Sequence, residues 1–243
     1  QNNQAVAQEA VSCACGCELM VNRAYVDENI NRRFFLNNET FLGTPAHKEL
    51  IPVAQEHTDK ELGVLCFCPP GDRHPFGVIV NYTMHPLTAG NTSTLISADV
   101  PGVVRDVIKE SMDCLTCYVT GAAGDNHPKR PEGGFAETRR VGSALATEAI
   151  NRSFDAAKIE GDLAIKSMTR SITLKRRTLE EMEEIAGRTG SSRGAAPFKK
   201  LLKQPGAPIE AEFTLLAIGP ILFIGVPGEL VSELGSMLKW YSP

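Results

Sequence analysis

No apolar run in the chain approaches the roughly 18 residues that a membrane-spanning helix requires. A strong charge of either sign is missing as well. The 25 Lys and Arg against 29 Asp and Glu leave a net charge of −4, which gives no reason to expect nucleic acid or an anionic membrane surface as partner. Aromatic residues make up only 6%, with a single Trp. There is no internal repeat and no low-complexity linker, so nothing marks an array of units joined by spacers. The polar start Gln1-Asn2-Asn3-Gln4 shows no signal-peptide pattern. A second C-x-x-C at zinc-finger spacing is lacking, so Cys114 and Cys117 argue only weakly for structural zinc.

What is present is ordinary for a globular protein: 243 residues, 42% hydrophobic and 22% charged, enough for one core of normal size. The chain begins without Met and ends directly after a helical pattern, which fits a processed or partial chain. Cys13, Cys15 and Cys17 alternate, as do Cys66 and Cys68, so each set is expected on one face of a strand, as small buried hydrophobes. The odd count of 7 favours a reducing compartment over a disulfide framework, and so the cytoplasm, with secretion the alternative if an upstream signal exists. The N-x-S/T patterns at Asn38, Asn81, Asn91 and Asn151 are short enough to arise by chance, and Asn81 falls in an expected strand.

The order of elements points to an α/β fold. A short helix is expected from residue 3 to 10 and a strand over 11–21, with Asn22-Arg23 at its end. A polar, Asn-rich excursion without periodicity then runs to about residue 60. Leu62–Cys68 and Phe76–Met84 read as a hairpin around a Pro- and Gly-containing loop. Asp99 is placed to cap a helix with Pro101 in its first turn and Val103, Val104 and Ile108 on its apolar face, ending near Ser111. Cys114–Thr120 is the next strand and 136–157 the next helix. Strand, helix, strand, helix predicts a parallel pair with a right-handed crossover. The fold class expected is α/β, a mixed sheet with a parallel βαβ core flanked by helices. Further on, a strand pair is expected over 159–176, charged helices over Leu179–Arg188 and Phe198–Lys203, and a hairpin around Gly219-Pro220. A last helix is expected to open at Pro227-Gly228-Glu229.

Three strand ends carry residues with chemistry. In Gly77-Val-Ile-Val-Asn-Tyr-Thr-Met-His-Pro86 the β-branched run closes on His85, because Pro86 donates no backbone hydrogen bond and stops the strand. That leaves His85 at the carboxyl edge, where open α/β sheets bind ligands. Gly124-Asp125-Asn126-His127 and Glu229 follow the later strands. Imidazole and carboxylate are common zinc ligands, and a catalytic zinc activates water at neutral pH. The plainer alternatives are a locally satisfied histidine, an Asx turn at Asp125, and at Glu229 a carboxylate favoured by a helix N-terminus.

Taken in order, Asn-Tyr-Thr-Met-His85, Ile96-Ser-Ala-Asp-Val-Pro-Gly102, Gly121-Ala-Ala-Gly-Asp125 and Val226-Pro-Gly-Glu229 resemble the neutral/alkaline non-lysosomal ceramidase family. Asn22-Arg23 resembles that family's Asn-Arg element. The likeness is weak over 24–60 and 160–205. It implies a single ceramidase-like α/β domain over 1–243, incomplete at both ends, and a zinc-dependent hydrolase of amide bonds acting on a lipid amide or another small amide. It implies His85 and Glu229 as metal ligands, Arg23 as a contact near the scissile group, and Asp125 as part of the turn carrying the family's active-site serine.

The departures matter. Position 127 is His where the family has that serine, so His127 would serve as acid/base, polar contact or metal ligand. The family's first zinc histidine and its tyrosine ligand have no counterpart here, which leaves two of four ligands and predicts weak or absent zinc for this chain alone. The alternative from another class is a non-catalytic ceramidase-like scaffold or subunit that binds a partner or ligand. A phosphoesterase, suggested by Gly124-Asp-Asn-His127, lacks the remaining Asp/His motifs. The oligomeric state is not legible in the sequence.

Overall fold

The computed structural model describes residues 3–36, 39–42, 57–90, 93–130, 133–161, 163–188 and 206–242. The chain divides into two compact units, the first comprising Gln1–Ile30, His57–Glu160 and Val231–Pro243, the second Asn31–Glu56 and Gly161–Leu230.

The first unit is built on a five-stranded sheet. Its strands are β1 (Glu18–Tyr25), β5 (Glu61–Cys68), β6 (Gly77–Tyr82), β7 (Leu115–Thr120) and the short β9 (Ala157–Lys158), in the order β7-β6-β5-β1-β9. β6 and β7 run parallel, and the remaining neighbours are antiparallel. The parallel pair is joined through α2 (Asp99–Met112), the expected βαβ unit, and α3 (Gly134–Phe154) follows β7. A mixed sheet with a parallel βαβ core is therefore what these residues form. A helix, α1 (Asn3–Ser12), precedes β1, and α5 (Ser232–Tyr241) closes the unit.

The core lies under one face of this sheet. The register places Leu62 opposite Tyr82, Val64 opposite Val80, and Cys66 opposite both Val78 and Met20, so their side chains share a face. All are at most 3% exposed. Val100, Val104, Ile108 and Met112 of α2, spaced by about one turn, and Val141, Leu145 and Ala149 of α3 complete the cluster. Each fully buried Leu or Val contributes roughly 1.5–3 kcal/mol. The two helices approach closely at Gly142, where an added Cβ would meet Val103 Cβ at 2.5 Å.

Several expectations are corrected. Residues 11–21 are not one strand: α1 continues to Ser12 and β1 starts at Glu18, so Asn22 and Arg23 lie inside β1. Cys13, Cys15 and Cys17 consequently sit in the exposed connection instead of on a buried strand face, whereas Cys66 and Cys68 are buried as expected; Cys114 is buried too and Cys117 is exposed. Burial raises the thiol pKa of Cys66 and Cys114 and takes Cys68 up to about 11, so these thiols stay protonated and inert at neutral pH. The polar stretch after β1 is not a plain excursion, since it contains β2 (Asn29–Asn31), β3 (Arg33–Leu36) and β4 (Glu39–Leu42). β2 pairs with β8 (Asn126–Pro128), and β3 pairs with β4.

The second unit contains the β3–β4 hairpin, α4 (Leu179–Arg188), and a three-stranded antiparallel sheet. That sheet is β10 (Ile165–Lys175), β11 (Pro208–Ile218) and β12 (Ile221–Gly225), in that order. The hairpin about Gly219-Pro220 forms as expected. The strand pair expected within 159–176 does not: β10 pairs along its length with β11 instead, from Ile165 opposite Ile218 to Lys175 opposite Pro208. The helix expected over Phe198–Lys203 and the N-x-S/T positions Asn38 and Asn91 lie outside the described residues. Among the described residues no helix is long and apolar enough to cross a membrane.

Candidate functional site

The parallel pairing of β6 and β7 brings the loops that follow them together. Gly121 is what permits the approach. Its N–H donates to the Tyr82 carbonyl at 3.1 Å, and a Cβ at this position would run into the Thr83 hydroxyl. Beyond this crossing the chains stay in contact: His85 N–H donates to the Asn126 carbonyl at 3.0 Å. The His85 and His127 rings then meet edge to face, with centroids 5.3 Å apart and planes at 87°. Two residues singled out separately in the sequence thus stand side by side within one unit.

Beneath them is a buried polar layer that the sequence did not announce. Asn126 is fully buried and donates through Nδ2 to Asp125 Oδ1 at 2.9 Å. Asp125, 4% exposed, also accepts from the Ser232 N–H of the first turn of α5 at 2.8 Å. Its carboxylate therefore ties the β7 loop to a helix N-terminus, where negative charge is favoured. Asn29 of β2 donates to the Asp59 carbonyl at 2.8 Å, to the Thr83 carbonyl at 2.5 Å and more weakly to Asn126 Oδ1 at 3.3 Å. The Tyr82 hydroxyl donates to the Val26 carbonyl at 2.7 Å and accepts from Glu28 N–H at 3.2 Å. Burial raises that phenol's pKa well above the usual range, so it remains a donor.

Arg23 joins this layer through a line of charges. Its guanidinium, 70% exposed at the side chain, reaches Glu61 Oε2 at 3.4 Å. Lys239 Nζ bridges Glu61 Oε1 at 3.1 Å and Asp59 Oδ2 at 2.8 Å. The Thr83 hydroxyl donates to the same Asp59 oxygen at 3.1 Å, two residues before His85. Burial pulls the Lys239 ammonium down, yet Asp59 and Glu61 together outweigh it and hold its pKa above the ordinary lysine value. Nearby, His57 Nε2 and Ser236 Oγ lie 2.8 Å apart.

A separate open cleft of about 360 Å³ is lined by Asp27, Glu28, Lys129, Arg130, Glu137 and Arg140. Its charges largely cancel. Arg140 bonds Glu28 at 2.7 and 2.9 Å and Glu137 at 2.8 and 3.0 Å, and Asp27 pairs with Lys60 and Lys129. None of the residues singled out in the sequence lines it.

Glu229 belongs to the second unit and lies before α5, which begins only at Ser232, so it is not the first-turn helix carboxylate of the plainer alternative. Among the described residues no three His, Cys, Asp or Glu side chains gather so as to hold a metal ion. His85 and His127 supply two imidazoles in one place, but Asp125 is committed to Asn126 and Ser232. The donor set in the first unit alone does not make a complete zinc site.

The class of protein that this fold defines emerges from comparison with solved structures. The chain superimposes on a neutral ceramidase from Pseudomonas aeruginosa with a TM-score of 0.63 and 17% identity, covering 96% of this chain and 44% of that one. A ceramidase complexed with C2 gives 0.64 and 15%, covering 96% of this chain and 45% of the other. The fold is therefore ceramidase-like, and the chain spans less than half the length of these neighbours. No family model matches the chain, and no curated protein matches its sequence.

Proposed function

We propose that the protein is a hydrolase of amide bonds related in scaffold to the ceramidases, acting on a lipid amide or another small amide. The single observation that carries this reading is the meeting of His85 and His127 at the carboxyl ends of the parallel strands β6 and β7. It is supported by the ceramidase-like fold and by the order of the motifs around these residues.

In this reading one imidazole takes the proton of a water adding to the amide carbonyl, and an imidazole returns a proton to the leaving nitrogen. His127 occupies the place of the family serine, so it works as acid and base and not as the family's alcohol does. Asp125 and Asn126 hold the β7 loop, and Arg23 would face the developing oxyanion after exchanging its exposed contact with Glu61. A zinc ion is proposed on the resemblance alone. Of the ligands that the resemblance implies, the first unit offers His85, and the ion would supply Lewis acidity and a more acidic bound water there, weakly held.

The test is metal analysis after dialysis against zinc, alongside amide turnover, for the protein and for His85→Ala and Glu229→Ala. Loss of turnover in His85→Ala with the fold intact supports the reading and turnover retained there counts against it, while metal retained in Glu229→Ala counts against Glu229 as a ligand.

A further inference from the structure

Asp99 is the residue whose conformation the fold alone does not account for. It is not glycine, yet its φ is +51°, a left-handed backbone that costs on the order of 1 kcal/mol or more. Its carboxylate is buried, at 7% exposure, and the bonds it makes are to neutral donors. Oδ1 accepts from the Thr88 hydroxyl at 2.6 Å, from Val100 N–H at 2.8 Å and, longer, from Thr88 N–H at 3.3 Å. Oδ2 accepts from Ala89 N–H at 2.8 Å. The carboxylate expected to cap α2 is thus aimed mainly backwards, at the loop that follows β6. An apolar side chain would fill this space without desolvating a charge.

Thr88 is fully buried and bonded at each polar group. Its carbonyl accepts from Gly134 N–H at 2.9 Å, and its hydroxyl lies 2.8 Å from the Thr138 hydroxyl, so α3 clamps it from the other side. Little slack remains between Thr88 and His85. Leu87 N–H donates to the His85 carbonyl at 3.0 Å, closing a three-residue turn about Pro86, whose ring already restricts φ.

We propose that Asp99 is a positioning residue: through Thr88 and the Pro86 turn it sets where the His85 ring stands against His127. The inference deepens the reading of these histidines as the working pair and takes its functional meaning from it.

The experiment is NMR of the whole chain with labelled histidine, reading the cross-peaks between the His85 and His127 ring protons. Asp99→Gly relieves the left-handed backbone while removing the acceptors, which separates strain from hydrogen bonding. Thr88→Val removes the hydroxyl at nearly constant volume, and Thr88→Ser restores it. Asp99→Gly and Thr88→Val are expected to lose the inter-ring cross-peaks with the backbone amide spectrum otherwise preserved, and Thr88→Ser to keep them. In the amide assay the same two variants are expected to lower kcat by up to about 10²-fold with KM little changed. Inter-ring cross-peaks that persist in a folded Asp99→Gly or Thr88→Val protein overturn the proposal; should Asp99→Gly not fold, Thr88→Val decides. Wild-type protein without turnover would sink the hydrolase reading, while the cross-peaks would still decide the role of Asp99.

Discussion

His85 and His127 meet edge to face with their ring centroids 5.3 Å apart, His85 in the loop that leaves β6 and His127 in the short strand β8 that follows the parallel neighbour β7. The contact rests on backbone geometry before side-chain chemistry. The His85 N–H to Asn126 carbonyl bond and the close passage of Gly121 past Thr83 draw the two loops together.

The passage makes Gly121 intolerant of a side chain. Gly121→Ala would push its Cβ into Thr83, and the loops would part or β7 would shift. The expected result is a loss of stability of about 1–3 kcal/mol in denaturant unfolding, with the His85–His127 ring cross-peaks lost or weakened.

The approach of α2 to α3 gives a second steric test. Gly142→Ala raises helix propensity by about 1 kcal/mol, but the new Cβ would lie 2.5 Å from Val103 Cβ and 2.6 Å from its Cγ1. Overpacking is expected to win, with a net destabilisation of about 1–3 kcal/mol and a lower Tm in calorimetry.

Tyr82→Phe tests the polar layer. The ring stays in the core, but the Val26 carbonyl loses its donor and Glu28 N–H its acceptor. A cost of about 1–3 kcal/mol is expected, read as a drop in denaturant midpoint at unchanged slope. An unchanged midpoint would mean that water replaces both bonds without penalty.

The Glu137–Arg140 pair predicts a pH effect. The Arg140 guanidinium holds the Glu137 carboxyl below its ordinary value of 4.5, against the opposing pull of burial. A carboxylate with a depressed folded pKa stabilises the protein above its unfolded pKa, and that contribution is lost as pH falls through the folded value. Stability should therefore decline below about pH 4.5, and Glu137→Gln should flatten that decline, as followed by thermal melts across an acid series.

Much of the first unit was legible in the sequence because period-2 and period-3.6 patterns there coincide with real faces. Leu62 to Cys68 and Val78 to Tyr82 alternate into the core, but β6 ends at Tyr82, so His85 lies in the segment after the strand and not at its tip before Pro86. The same logic misled where another pattern imitated it. Cys13, Cys15 and Cys17 alternate like a strand but lie in the connection after α1. Glu229 follows Pro-Gly, as a residue opening a helix often does, yet α5 begins three positions later. Apart from Asp125 and Asn126, the polar layer had no signal in the sequence. Asn29, Asp59 and Lys239 are ordinary surface-type residues in sequence, and only tertiary pairing makes them partners. Asp99 did stand at a helix start, but local rules assign such a carboxylate to the first turn and not to a loop before it.

The most direct measurement is hydrolysis of a short-chain N-acylated amino alcohol, with released fatty acid quantified by mass, by the zinc-supplemented protein and by His85→Ala and His127→Ala. The account predicts turnover by the protein, abolished in His85→Ala and reduced by about 10²–10⁴-fold in His127→Ala, with all three folded. Turnover that both variants retain, or a folded, zinc-supplemented protein that releases no fatty acid from any amide offered, would contradict it.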